Sequence, residues 1–158
     1  MRQKVLIVED QFLIAMALEE AIAKLGHDVV GIAAGKSQAL DFIDAADVAL
    51  VDINLLDGTS GVAIAQELSK RGMTTVFMTA NPELVRSGVR GVLGIIAKPI
   101  SDSHLASLMK FIAARRTGRH GQCPPGLILF EEVSEQPHPA RRRTGTHEAY
   151  LRVRMFQS

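Results

Sequence analysis

Five short apolar runs in this 158-residue chain end in five different ways, and four of those endings carry groups capable of chemistry. Val5-Leu6-Ile7-Val8 leads into the acid pair Glu9-Asp10, and Val48-Ala49-Leu50-Val51 leads into Asp52. A fourth run closes on the hydroxyl of Thr79 and a fifth on Lys98-Pro99, while the second ends in the plain turn Ala33-Ala34-Gly35. Three carboxylates in one cleft repel one another unless a cation relieves them. Mg²⁺ favours a few carboxylates, a carbonyl and retained waters, so Glu9, Asp10, Asp52 and the backbone carbonyl of Asn54 are its candidate ligands. An ammonium and a hydroxyl beside such a site suit phosphoryl transfer, in which charge spreads over three equatorial oxygens and must meet fixed positive groups. On this reading Asp52 attacks, Mg²⁺ and Lys98 bind phosphoryl oxygens, Thr79 donates a hydrogen bond to the product, and an aspartyl phosphate results.

Each of these residues alone has an ordinary structural role. An acid after a strand is commonly a solvated turn residue or helix cap, Thr79 is equally a cap, and Lys98-Pro99 a strand end. Asp57, next to Gly58, reads as a turn former. The five histidines show no metal-ligand spacing. Order and spacing taken together carry the chemical reading.

The elements that must hold these groups follow from hydrophobic period. Lys4 to Glu9 is a continuous aliphatic run typical of a strand covered on both faces. Ile14, Leu18, Ala21, Ile22 and Leu25 recur at helical spacing up to Gly26. Strands are expected at Asp28 to Ala34, Val48 to Ile53, Thr74 to Thr79 and Val92 to Ala97. Helices are expected at Lys36 to Ala45, Gly61 to Arg71, a short piece after Pro82, and Asp102 to Arg116 capped by Ser101 or Asp102. Five β-α units in tandem argue for an α/β domain with a parallel sheet, right-handed crossovers and strand order 2-1-3-4-5. In such sheets the carboxyl ends of the strands form the ligand-binding edge. All the candidate groups lie at that edge.

Composition narrows the classes. No apolar stretch approaches the roughly 20 residues that cross a bilayer, and Met1-Arg2-Gln3-Lys4 enters a strand instead of a signal-peptide core. A cytoplasmic protein without membrane association is expected. The single cysteine, Cys123, allows neither an internal disulfide nor a cysteine-rich metal site. Residues 1–116 carry a net charge of −1 and residues 117–158 a net charge of +2, so neither part has the basic balance of a nucleic-acid binder. After Thr117, repeated Gly and Pro and the run Arg141-Arg142-Arg143 suggest a flexible tail, residues 117–158, behind a domain of residues 1–116. Leu127 to Phe130 and Tyr150 to Phe156 are strand-like pieces within it, able to add to a sheet edge or a partner.

The pattern over residues 4–116 resembles the receiver domain of two-component response regulators. Val8-Glu9-Asp10 is similar to the family's metal-binding acid pair, and Val51-Asp52-Ile53-Asn54-Leu55 to the strand end bearing its phosphoacceptor. Met78-Thr79-Ala80 is similar to the switch hydroxyl followed by a small residue, and Ala97-Lys98-Pro99 to the family's lysine before a proline. Leu56-Asp57-Gly58-Thr59-Ser60-Gly61 looks like the loop after the phosphorylated strand, with Leu56 where proline is common. The resemblance implies a doubly wound, flavodoxin-like fold of five parallel strands with a C-terminal extension. It also implies Mg²⁺ dependence, phosphoryl transfer from a sensor histidine kinase to Asp52, a cis bond before Pro99, and no enzymatic activity beyond the chain's own phosphorylation and dephosphorylation.

Two departures stand out. Ile95 occupies the position of the family's aromatic switch residue, leaving no ring there to couple to the Thr79 hydroxyl. Lys98 follows Thr79 by only 19 positions, so the fourth helix must be clipped or irregular, as in an atypical subset of single-domain receivers. The switch is expected to run from Thr79 through Asn81 to Gly91. It would remodel the face made by the fourth helix, fifth strand and fifth helix, where a downstream protein or a second copy binds.

Other readings compete. A pseudo-receiver binding module without phosphoryl transfer is left open by Ile95. A haloacid-dehalogenase-like phosphatase would place its nucleophile first and a second acid two residues later, but here the acid pair comes first and position 54 is Asn. Nucleic-acid binding through Arg141 to Arg143 is not expected without a helix-turn-helix.

Overall fold

Strand order follows from where the apolar runs end and helices return the chain. The computed structural model describes residues 1–58, 60–85 and 87–130. Strands β1 (Lys4–Val8), β2 (Asp28–Ala33), β3 (Val48–Asp52), β4 (Thr74–Thr79) and β5 (Gly94–Ala97) are parallel, and β6 (Leu127–Leu129) runs antiparallel beside β5. The order across the sheet is β2-β1-β3-β4-β5-β6. This is the expected α/β architecture with one strand added at the far edge.

Helices α1 (Phe12–Lys24) and α4 (Asp102–Arg116) cover one face, and α2 (Lys36–Leu40) and α3 (Ser60–Lys70) cover the other. Side chains alternate across each strand, as a period of two requires. Val5 and Ile7 join Leu18, Ile22, Leu108 and Ile112 in one core, whereas Leu6 and Val8 join Ile64, Leu68 and Phe77 in the other. Burying such aliphatic side chains stabilises the fold by about 1.5–3 kcal/mol each. At α4, Ser101 caps the helix by accepting from the His104 amide at 3.2 Å, while Arg115 and Arg116 fall in the last turn. There they complement the negative end of the helix dipole.

The second helix and the segment after residue 116 differ from expectation, and the fourth helix is clipped as expected. The second helix stops at Leu40 rather than Ala45 and continues as turns. There Phe42 lies against Gly31 of β2, and a Cβ on Gly31 would sit 2.2 Å from that ring. Between β4 and β5 the fourth helical position is one 3-10 turn, Pro82–Val85, which is the clipped helix that the short spacing demanded. β6 is the strand-like piece expected within a flexible tail, and it pairs with β5. The strand expected at Tyr150 to Phe156 lies outside the described residues. No helix among those described is long and apolar enough to cross a membrane.

Candidate functional site

The backbone ladder sets the positions of the chemical groups before any side chain is considered. Asp52 is the last residue of β3 and lies level with Met78, and Thr79 closes β4 level with Ala97. The Lys98 amide donates to the Thr79 carbonyl at 2.8 Å, and the Glu9 amide donates to the Ala33 carbonyl at 2.9 Å, so the ladder extends one residue beyond each strand. Glu9, Asp10, Asp52, Thr79 and Lys98 therefore share the carboxyl edge, with the Lys98–Pro99 peptide cis.

An ion-pair network occupies the centre. Lys98 Nζ lies 2.6 Å from Glu9 Oε2 and 2.9 Å from Asp52 Oδ2. Each carboxylate spends its other oxygen on a backbone donor: Gln11 N–H to Glu9 Oε1 at 3.1 Å, and Asn54 N–H to Asp52 Oδ1 at 3.0 Å. Both acids are buried, Glu9 to 2% exposure and Asp52 to 4%. Charges taken this far out of water persist only when paired and hydrogen-bonded. Burial pushes the Glu9 carboxyl above the usual range, and the hydrogen bond from Lys98 opposes that push. At Lys98 burial draws the ammonium down, but hydrogen bonds to Glu9 and Asp52 outweigh it and hold the group above its ordinary value.

The donor set fits a hard divalent cation. Carboxylate oxygens of Glu9, Asp10 and Asp52 all lie within 4.8 Å of one another. They are oxygen ligands of the kind Mg²⁺ takes. A single ammonium among three acids leaves negative charge for a cation to neutralise. Asn54, whose carbonyl is the fourth candidate ligand, follows Asp52 closely and is tied to it by its own amide.

Thr79 is fully buried, and its Oγ1 accepts from the Asn81 amide at 3.1 Å. That bond anchors the start of the segment leading to the 3-10 turn. Ile95 lies away from the edge, in the core with Phe77, Val85 and Val92. Asp57 is exposed and accepts from Ser60 Oγ, within the loop, and His27 lies at the opposite end of the sheet, where its Nδ1 accepts from the Gln3 amide at 3.1 Å.

One positioning residue escaped the sequence reading. Gly61, at the start of α3, is so close to β3 that a Cβ there would fall 2.0 Å from the Asp52 carbonyl oxygen and 2.7 Å from Ile53 Cα. The helix thus seats directly on the backbone that carries the central acid. A glycine spent inside a helix, where it costs about 1 kcal/mol relative to alanine, was the available signal.

The model of the response regulator receiver domain matches residues 5–110. The phyllosphere-induced regulator PhyR of Methylorubrum extorquens is 34% identical over 114 residues, covering 69% of this chain and 43% of that protein. The solution structure of the PhyR receiver domain from Erythrobacter litoralis superposes with a TM-score of 0.63 at 30% identity, covering 71% of this chain and 90% of that one. The crystal structure of the anti-anti-sigma factor PhyR from Bartonella quintana gives 0.66 at 27% identity, covering 75% of this chain and 50% of that one. The chain thus spans about half the length of the full PhyR proteins it resembles.

Proposed function

The chain belongs to the response regulator receiver family, and from that premise we propose that it accepts a phosphoryl group on Asp52 from a sensor histidine kinase in the cytoplasm. The observation that carries this reading is the Lys98 ammonium 2.9 Å from Asp52 Oδ2, at an edge that also holds Glu9, Asp10 and Thr79. A carboxylate oxygen of Asp52 bonds to phosphorus as the bond from phosphorus to the donor imidazole nitrogen breaks, and the imidazole keeps the electron pair and takes up a proton. Lys98 holds a phosphoryl oxygen and balances its charge through the transition state. The amide of Asn54 keeps the Asp52 carboxylate oriented during the approach.

Glu9, Asp10, Asp52 and the Asn54 carbonyl would hold Mg²⁺. When bound, it supplies neutralising charge for the carboxylates and the phosphoryl oxygens. The buried Thr79 hydroxyl leaves the Asn81 amide and donates to the product, and that exchange of partners is the switch. Its output is a downstream protein bound on the flank of β5, a reading supported by the description of the Bartonella relative as an anti-anti-sigma factor. The chain acts on no substrate other than its own aspartyl phosphate.

Incubation with acetyl phosphate and Mg²⁺, followed by intact mass, tests the proposal. One added phosphoryl group, removed by hydroxylamine, is expected; an unchanged mass with both acetyl phosphate and a panel of phosphorylated kinases would make the chain a pseudo-receiver instead.

A further inference from the structure

The edge of β5 is occupied by the chain itself. Leu127, Ile128 and Leu129 pair with Ile96, Ile95 and Gly94, and the Phe130 amide donates to the Leu93 carbonyl at 3.0 Å. The approach is close: a Cβ on Gly94 would lie 2.4 Å from the Ile128 carbonyl oxygen, so the absence of a side chain at 94 is what lets the added strand dock. The returning loop also comes close to α4, where a Cβ on Gly121 would meet Ala114 at 3.1 Å. The occupying segment straddles both cores. Leu127 is buried in the α1/α4 layer, while Phe130 packs in the other, its ring 6.3 Å from that of Phe77 at an angle of 58°.

The layer that receives Phe130 is the one left thin by the clipped fourth helix. Val85, Val89 and Val92 share its cluster, and Gly88, at φ +77°, lies under the ring. These residues belong to the segment whose first anchor is the bond from the Asn81 amide to Thr79 Oγ1. A physical chain therefore runs from the hydroxyl beside Asp52, through Asn81 and Val85 to Val92, to the ring that pins β6. A three-residue strand is marginal without such a pin. An edge freed of it presents unpaired N–H and C=O groups, the template for strand addition.

We propose that the β5 edge is a strand-addition site: Leu127–Phe130 closes it in the resting chain, and phosphorylation releases that segment so that an extended apolar segment of a partner protein, carrying an aromatic ring at the Phe130 position, takes its place. The chemistry of the partner is read from the segment that now fits: leucines at alternate positions, as at 127 and 129, for the α1/α4 core, then a ring over Gly88 and against Phe77 in the other. This inference rests on the phosphoacceptor reading of Asp52.

The test uses the full chain, with Asp52 occupancy followed by intact mass in every sample. On phosphorylation, amide exchange over residues 127–130 should speed up about tenfold or more, while exchange in α1 stays slow. A fluorescent peptide of residues Pro124–Phe130 should bind the phosphorylated chain and not the resting one, and the same peptide with Phe130→Ala should not bind. Gly94→Ala should free residues 127–130 without phosphorylation, and Phe130→Ala in the full chain should do so without altering β5. Full phosphorylation with unchanged protection at 127–130 would overturn the inference and leave the phosphoacceptor standing. An unphosphorylated Asp52 would remove both. A phosphorylated chain that light scattering shows to be a dimer would put a second copy's strand at the edge and overturn the partner assignment.

Discussion

The carboxyl edge of the sheet and the flank of β5 are held by opposite kinds of force. At the edge, charged groups from three strand ends are locked by ion pairs of 2.6 and 2.9 Å and by backbone donors. On the flank, a three-residue strand, a single 3-10 turn and an aromatic pair are held by apolar contact and a short backbone ladder. The first arrangement has little freedom, because a buried charge that loses its partner costs about 3–5 kcal/mol. The second can rearrange at the cost of a few contacts. A receiver needs both: a rigid place for the phosphoryl group and a soft place that responds.

Removing the ammonium is the strongest way to break the rigid half. Lys98→Ala should lower the rate of phosphorylation by acetyl phosphate roughly 10²-fold, the usual loss of one preorganised charge-stabilising donor. Circular dichroism should still report a folded chain, since Glu9 can take a proton when its partner goes. A rate within twofold of the native chain would detach Lys98 from the chemistry. Next in size is Gly61→Ala, whose Cβ would strike the Asp52 carbonyl. Overpacking of this kind costs about 1–3 kcal/mol, to be read as a fall in the denaturation midpoint together with slower phosphorylation. An unchanged midpoint would show that α3 can shift without disturbing β3.

Thr79→Ala separates the two regions. It removes the acceptor of the Asn81 amide, at a cost of about 1 kcal/mol, and should slow phosphorylation only a few-fold. Hydrogen exchange over residues 81–91 should then no longer respond to beryllofluoride and Mg²⁺. A response as large as that of the native chain would place the switch elsewhere. The smallest expected effect lies at the opposite end of the sheet and serves as a control. Burial, with help from the amino-terminal charge, holds His27 below its ordinary value of 6.5, although Asp28 opposes the shift. Its neutral Nδ1 accepts from the Gln3 amide, so the folded chain binds the proton less readily than the unfolded one. The resulting stability is full above about pH 6.5 and is lost as pH falls through the depressed folded value. Urea midpoints across that window should drop at low pH, and less so in His27→Gln.

The same contrast governs what could be read from the sequence. The edge was legible because each group sits at the end of a continuous apolar run, and a parallel sheet brings such ends together whatever the helices do. Strand order and the clipped fourth helix followed from run spacing and from the 19-position step from Thr79 to Lys98. The flank was legible only in part. Leu127 to Phe130 reads as a strand-like piece able to add to an edge, but which edge receives it depends on the three-dimensional coincidence of a bare Gly94 and a thin layer over Phe77. Similarly, the second helix yields after Leu40 because Phe42 is needed against Gly31, a tertiary demand that helical period does not register. Gly61 was visible as a residue and invisible as a contact.

The central claim is that Asp52 receives the phosphoryl group, and chemical trapping tests it most directly. Aspartyl phosphate formed with acetyl phosphate and Mg²⁺ is reduced by borohydride to homoserine, which peptide mass spectrometry locates. The account predicts homoserine at position 52 alone and none in Asp52→Asn; homoserine at position 10 or 57 with position 52 untouched would contradict it.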